Sequence, residues 1–147
     1  MPLDRRWIES HIPHQGTMCL LDEVLDWDAI SARCRASSHR DAENPLRAFG
    51  RLGAASGIEY AAQTMAVHGA VMASASGTRA PRGFLASLRS VRMNVERLDD
   101  LPDDLITQVR RIAGDESTAM YEFSVSASQR ELVNGRATIA FNTGSAR

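Results

Sequence analysis

The chain has 147 residues, 44% of them hydrophobic, and 17 basic against 18 acidic residues give a formal net charge of −1. That length fits one domain, 1–147, and that apolar share supports a real core. The charge balance argues against a nucleic-acid or anionic-membrane binder, since both need a basic excess. Lysine is absent, so every basic residue apart from histidine is arginine, which reads first as coding bias.

The opening MPLDRRWIES has no apolar run of the kind a secretory leader needs. No later run approaches the roughly 18 apolar residues that span a bilayer. The expectation is a cytoplasmic protein. Residues 3–11 (LDRRWIESH) predict a short helical turn, interrupted by Pro13 and Gly16. MCLLDEVLDWD reads as a strand from Met18. AISARCRASS follows with clean alternation, Ile30, Ala32, Cys34 and Ala36 on one face and Ser31, Arg33, Arg35 and Ser37 on the other. Residues 18–38 therefore predict a hairpin. It contains both cysteines, Cys19 and Cys34, as buried free thiols. HRDAENPLRAFGRL, broken by Pro45 and Gly50, predicts a loop.

GAASGIEYAAQTMAVHGAVMASA is the long helix candidate. It is almost wholly Ala, Gly and Ser, whereas a surface helix carries charge along one face. Small side chains permit close backbone approach, so a sheet is expected around it. SGTRAPRG is a loop. Four strands complete the chain, FLASLRSVRMNVERL, DLITQVRRIA, STAMYEFSVSAS and ELVNGRATIAF. Strands grouped around a single helix predict an α+β layer fold, whose open sheet edge favours pairing between subunits.

Three features can carry chemistry. Glu59 is the sole acid of the long helix, and such a carboxylate is either paired, protonated, exposed at a cavity or an ordinary solvent-facing group. Gln63 lies at i+4 and shares its face. His14 follows Pro13 ahead of Gly16 on a tight loop, where it is either a base, a substrate clamp or a loop hydrogen-bonder. Gly50, Gly53 and Gly57 at the helix start either open backbone N–H groups to an oxyanion or serve tight packing. His11 ends the short helix, His39 reads as exposed in a polar loop, and His68 falls opposite Glu59 as a packing or interface group. No pair has zinc spacing.

These residues resemble a known family. IPHQGTMCLLDEVLDWD is similar to the N-terminal LPHR-P-LLVDRVLD pattern of the hotdog-fold 3-hydroxyacyl-acyl-carrier-protein dehydratases. GIEYAAQTMA resembles their central-helix LEAMAQ pattern, with Glu59 on the helix acid and Gln63 on the glutamine. GFLASLRSVRMNVERLDDLPDDL resembles the following strand. More narrowly, the chain is similar to the dehydratase-like proteins of aryl-polyene and fatty-acid-type clusters. The resemblance implies a hotdog fold, a long central helix wrapped by a curved antiparallel sheet. It implies loss of water from a 3-hydroxyacyl thioester, with a histidine taking the C2 proton, a helix carboxylate protonating the leaving hydroxyl, and the two coming from opposite subunits. It implies no metal or other cofactor, because phosphopantetheine of an acyl carrier protein or coenzyme A carries the acyl group.

One departure bears on the chemistry. The family's histidine sits in a GHFPG loop before the helix, where this chain reads NPLRAFGRLGAAS with no histidine. His14 is the expected replacement for that base or a thioester clamp, with His39 as a second candidate. Pro13, Gly53, Gly57, Gln63, Gly83 and Phe84 are the expected substrate-binding residues, and Arg79, Arg82 and Arg89 are candidates for docking an acidic carrier. The alternatives are an acyl thioesterase, or a non-catalytic hotdog subunit. Assembly is expected as a homodimer or as a heterodimer with another hotdog subunit.

Overall fold

The computed structural model describes residues 2–141. The elements run β1 (Leu3–Asp4), α1 (Arg5–His11), β2 (Glu23–Trp27), β3 (Ser31–Ala36), α2 (Gly57–Ala75), β4 (Gly83–Met93), β5 (Leu105–Gly114), β6 (Thr118–Ala127) and β7 (Arg130–Phe141). The strands form one sheet in the order β1-β2-β3-β5-β6-β7-β4, and every neighbouring pair is antiparallel. This is the expected α+β arrangement.

Local chemistry explains the boundaries. Asp4 caps α1, accepting the Trp7 N–H at 2.9 Å. The helix stops at His11, two residues before Pro13, which cannot continue it. On β6 the residues Ala119, Tyr121, Phe123 and Val125 are buried and alternate with half-buried ones, all polar except Met120. Helix α2 lies over β3, β5 and β6. Beneath it β3 offers only Ala32, Cys34 and Ala36, so small strand residues meet a small-sided helix and the backbones approach closely. Both cysteines are buried free thiols, and burial pushes Cys34 up to about 12.

The first expected strand starts later than its sequence implies. Met18 ends a 3-10 turn, and Cys19 to Asp22 lie outside any strand. The reason is a side chain from far along the chain: Gln63 bonds both the Met18 carbonyl and the Leu20 N–H, which leaves neither for a ladder. Cys19 is therefore not a strand residue; Cys34 is.

Candidate active site

The His14 loop is held from three sides. The Arg5 guanidinium of α1 donates to the carbonyls of Gly16 (2.9 Å) and Cys19 (2.8 Å). The Gln15 amide donates to the Glu9 carbonyl at the end of α1. From α2, Gln63 Nε2 donates to the Met18 carbonyl at 2.6 Å, and its Oε1 accepts the Leu20 N–H at 2.9 Å. Gln63 is 2% exposed, so its whole amide serves the loop.

This ties His14 to the first turn of α2, where Glu59 is exposed. His14 is half-buried, and its Nδ1 is buried with no hydrogen-bond partner. Burial lowers its pKa below the ordinary 6.5, and the nearby Glu59 charge opposes that shift. The two groups belong to one chain and feel one another electrostatically. A neutral imidazole with a bare ring nitrogen beside a carboxylate is an arrangement able to move protons.

On the buried side of the same helix turn sits a network that the sequence reading missed. The Tyr60 hydroxyl meets Ser38 Oγ at 2.7 Å and Asn44 Nδ2 at 3.0 Å. Ser38 Oγ also bonds the Leu20 carbonyl, and Asn44 bonds the Ser38 carbonyl and the Leu46 N–H. These bonds fix the 38–46 loop against the helix residue next to Glu59. A phenol among Ala and Gly residues was the available signal, because a buried hydroxyl needs partners.

The segment before α2, where the family resemblance leads one to look for a histidine, carries a tight turn instead. Ala48 and Arg51 exchange two backbone bonds, at 2.9 and 3.1 Å, around Phe49 and Gly50. Both tip residues have positive φ, 55° and 77°, and Phe49 is fully exposed. Asp99 fastens the stem: it accepts the Leu52 N–H at 2.9 Å and pairs with Arg97 at 2.5 Å.

The other expected site residues scatter. Pro13 is exposed in the His14 loop. Gly57 is a packing glycine, since its N–H already bonds the Ala54 and Ala55 carbonyls and a Cβ there would lie 3.1 Å from Val133 Cγ2. Gly53 starts the 3-10 turn Ala54–Ser56 with open space beside it. Gly83 and Phe84 are remote from the helix start within one chain. Gly83 pairs with Phe141, while Gly57 packs on Val133, eight residues and about 26 Å away along β7.

The remaining histidines divide. His11 is exposed and stacked on Trp7, with ring centroids 4.0 Å apart. His68 is buried between the Tyr121 hydroxyl (2.9 Å) and the Asp28 carbonyl (3.2 Å), a packing role as expected. The expectation of an exposed His39 is corrected. It is fully buried, its Nε2 donating to the Leu101 carbonyl at 3.2 Å, because the 3-10 turn Ser38–Arg40 folds it under the 101–104 segment. Among the described residues no three His, Cys, Asp or Glu side chains gather as metal ligands would. Nor is any described helix long and apolar enough to cross a membrane.

Comparison with solved structures bears out the fold. The dehydratase heterocomplex ApeI:P from Xenorhabdus doucetiae matches with a TM-score of 0.84 at 23% identity, over 94% of this chain and 92% of that one. Zebra fish thioesterase superfamily member 2 matches at 0.64 and 10% identity, over 94% and 95%. A hypothetical thioesterase with coenzyme A from Streptococcus pneumoniae matches at 0.58 and 10%, over 81% and 84%. At these identities the likeness shows the hotdog fold and nothing finer. No curated protein matches. The family model described as ApeP dehydratase covers residues 6–144, nearly the whole chain, and the chain belongs to this ApeP-like dehydratase family.

Proposed function

We propose that the chain acts in the dehydration of a 3-hydroxyacyl thioester to the trans-2-enoyl thioester, with the acyl group carried by an acyl carrier protein or coenzyme A. The observation that carries this is the half-buried imidazole of His14, held near the exposed Glu59 at the start of α2 and kept neutral by burial. In this reading His14 accepts the C2 proton of the substrate. Glu59, as the general acid of the step, delivers a proton to the departing 3-hydroxyl. The C2–H electron pair forms the C2–C3 double bond, the C3–O bond breaks, and one water leaves. Gln63 and Arg5 act through the loop that they hold. Gly53, in open space at the helix start, is the position from which an N–H can meet the thioester oxygen.

The reading includes a second hotdog subunit. Among the described residues strand β4 lies at the sheet edge and pairs only with β7. Its Met93 end pairs with Val133, on which the helix start packs. An antiparallel partner strand would bring its own first residues, the counterparts of Gly83 and Phe84, to that end. The substrate channel then closes between subunits, which accounts for the remoteness of these two residues within one chain. The named heterocomplex among the structural relatives supports this assembly.

The test is mass spectrometry of a 3-hydroxyacyl-carrier-protein incubated with the chain alone. Loss of one water that vanishes in Glu59→Gln, with an unchanged thermal midpoint, supports the assignment. Full turnover in Glu59→Gln would sink it, and free acid in place of enoyl product would point to thioester hydrolysis. The second reading is a non-catalytic subunit, favoured by the absence of histidine from residues 44–56 and the Phe49 turn built there. A chain that dehydrates nothing alone but completes an active pair supports it.

A further inference from the structure

Helix α2 grips Leu20 by both of its main-chain groups. Gln63 Oε1 accepts the Leu20 N–H at 2.9 Å, and the Leu20 carbonyl accepts from Ser38 Oγ at 2.7 Å. Ser38 Oγ in turn meets the Tyr60 hydroxyl at 2.7 Å, and Asn44 Nδ2 reaches the same hydroxyl at 3.0 Å. Tyr60 is fully buried, so its hydroxyl depends on these partners.

The protons of this chain of bonds can run in one direction only. A carbonyl cannot donate, so the single Ser38 hydroxyl proton goes to Leu20. An amide nitrogen cannot accept, so Asn44 donates to the phenol oxygen. The phenol proton is then left for Ser38 Oγ. Asn44 is itself anchored by the Ser38 carbonyl and the Leu46 N–H, which fixes the far end.

Leu20 is where the His14 loop ends. Among the described residues the loop's other ties come from α1, through Arg5 and the Glu9 carbonyl, and from Gln63. Beside this contact the two loops stand apart. A cavity of about 60 Å³ is lined by Thr17 and Cys19 of one and by Asp41, Asn44 and Pro45 of the other. Ser38 therefore carries the connection. Packing alone does not account for the phenol, because phenylalanine would fill the same space with no hydroxyl to satisfy.

We infer that Tyr60 is a positioning residue for His14: its hydroxyl aims Ser38 Oγ at the Leu20 carbonyl, and this tie joins that of Gln63 in holding the imidazole at the start of α2. The inference rests on the role of His14 given above and adds a residue on which that role depends.

The test reads His14 directly. Its ring is titrated by NMR in histidine-labelled protein, with His14→Asn identifying the signal, and kcat and KM are measured alongside. In wild type the midpoint lies below 6.5. Tyr60→Phe and Ser38→Ala should each move it up toward 6.5 and lower kcat about tenfold with KM little changed. The double variant should lose no more than either alone, because both cut one tie. Ser38→Thr, which keeps the hydroxyl, should behave as wild type. The control is Thr64→Val, which cuts a buried bond of the same helix to Thr107 (2.6 Å) and no tie to the loop. It should lower the thermal midpoint and leave the His14 titration alone. A wild-type titration in folded Tyr60→Phe overturns the inference, and so does a Thr64→Val protein whose His14 shifts as far. Should Tyr60→Phe fail to fold, Ser38→Ala decides by the same reading. A wild-type chain that dehydrates nothing would sink the proposed reaction, while the titrations still decide whether Tyr60 positions His14.

Discussion

Gln63 Nε2 donates to the Met18 carbonyl at 2.6 Å, across 45 residues of sequence, and so ties the helix of Glu59 to the loop of His14. Substitution by leucine removes this bond and the one to Leu20, leaving two main-chain groups without partners. The expected loss is about 2–4 kcal/mol of stability, read as a lowered thermal midpoint. Released from the helix, the loop would also let water reach His14. The acid limb of the kcat/KM profile should then move toward the ordinary histidine value, which a purely structural role would not produce. An unmoved limb in a folded Gln63→Leu protein would refute the positioning role.

His14 should set that acid limb. Burial holds its pKa below 6.5, so the neutral base persists to lower pH than an exposed histidine would allow. In wild type the limb should therefore fall below pH 6.5, and in His14→Asn it should disappear together with most of the activity. A His14→Asn enzyme with an unchanged profile would remove His14 from the chemistry and return attention to the partner subunit.

Two buried histidines make the fold acid-sensitive. At His39 burial and the adjacent Arg40 charge lower the pKa, opposed by bonds to the 101–103 backbone and the Asp104 charge. At His68 burial lowers it, aided by Arg111 and opposed by the Asp28 carbonyl and carboxylate. The carbonyl partners can only accept, so each Nε2 carries the proton of the neutral ring; Nδ1 of His39 has no partner among the described residues, and Nδ1 of His68 accepts from the Tyr121 hydroxyl. In both cases the folded pKa lies below the unfolded value of 6.5, so the unfolded chain binds more protons in that interval. Stability is complete above pH 6.5 and is lost as pH falls below it, by at most about 1.4 kcal/mol per pH unit for each group. Denaturant melts from pH 7.5 to 5 should show this decline. His68→Gln, which removes one proton site, should flatten it.

Phe49 is an unfavourable residue for its turn. A bulky side chain at φ 55° is strained, and full exposure gives no burial in return within the chain. Asn suits such a conformation, so Phe49→Asn should raise the thermal midpoint of the isolated chain, by about 1 kcal/mol of stability. A lowered midpoint would mean that the ring packs on the fold after all.

The order of elements was legible because core-facing periodicity is local. Alternation in AISARCRASS and STAMYEFSVSAS marked strands, and the small residues of 57–75 marked the helix that the sheet must approach closely. The acid and amide of that helix were visible as the polar residues of a bland face, and the resemblance to dehydratases rested on them. Less was legible where a group's environment comes from distant chain. His39 read as exposed because its neighbours are polar, yet residues 101–104 fold over it. Met18 to Asp22 read as strand because the run is apolar, yet Gln63 takes its backbone bonds.

The sequence by itself determined the layer architecture, the family and the candidacy of His14 and Glu59, since these depend on side-chain type and short spacing. Only the tertiary structure decided that His14 and Glu59 of one chain lie near enough for the carboxylate to act on the imidazole, that Gly57 serves packing, and that Gly83 and Phe84 stand at the far end of β7. Those outcomes depend on which strands are neighbours and in what register, and hydrogen bonds between residues tens of positions apart set both.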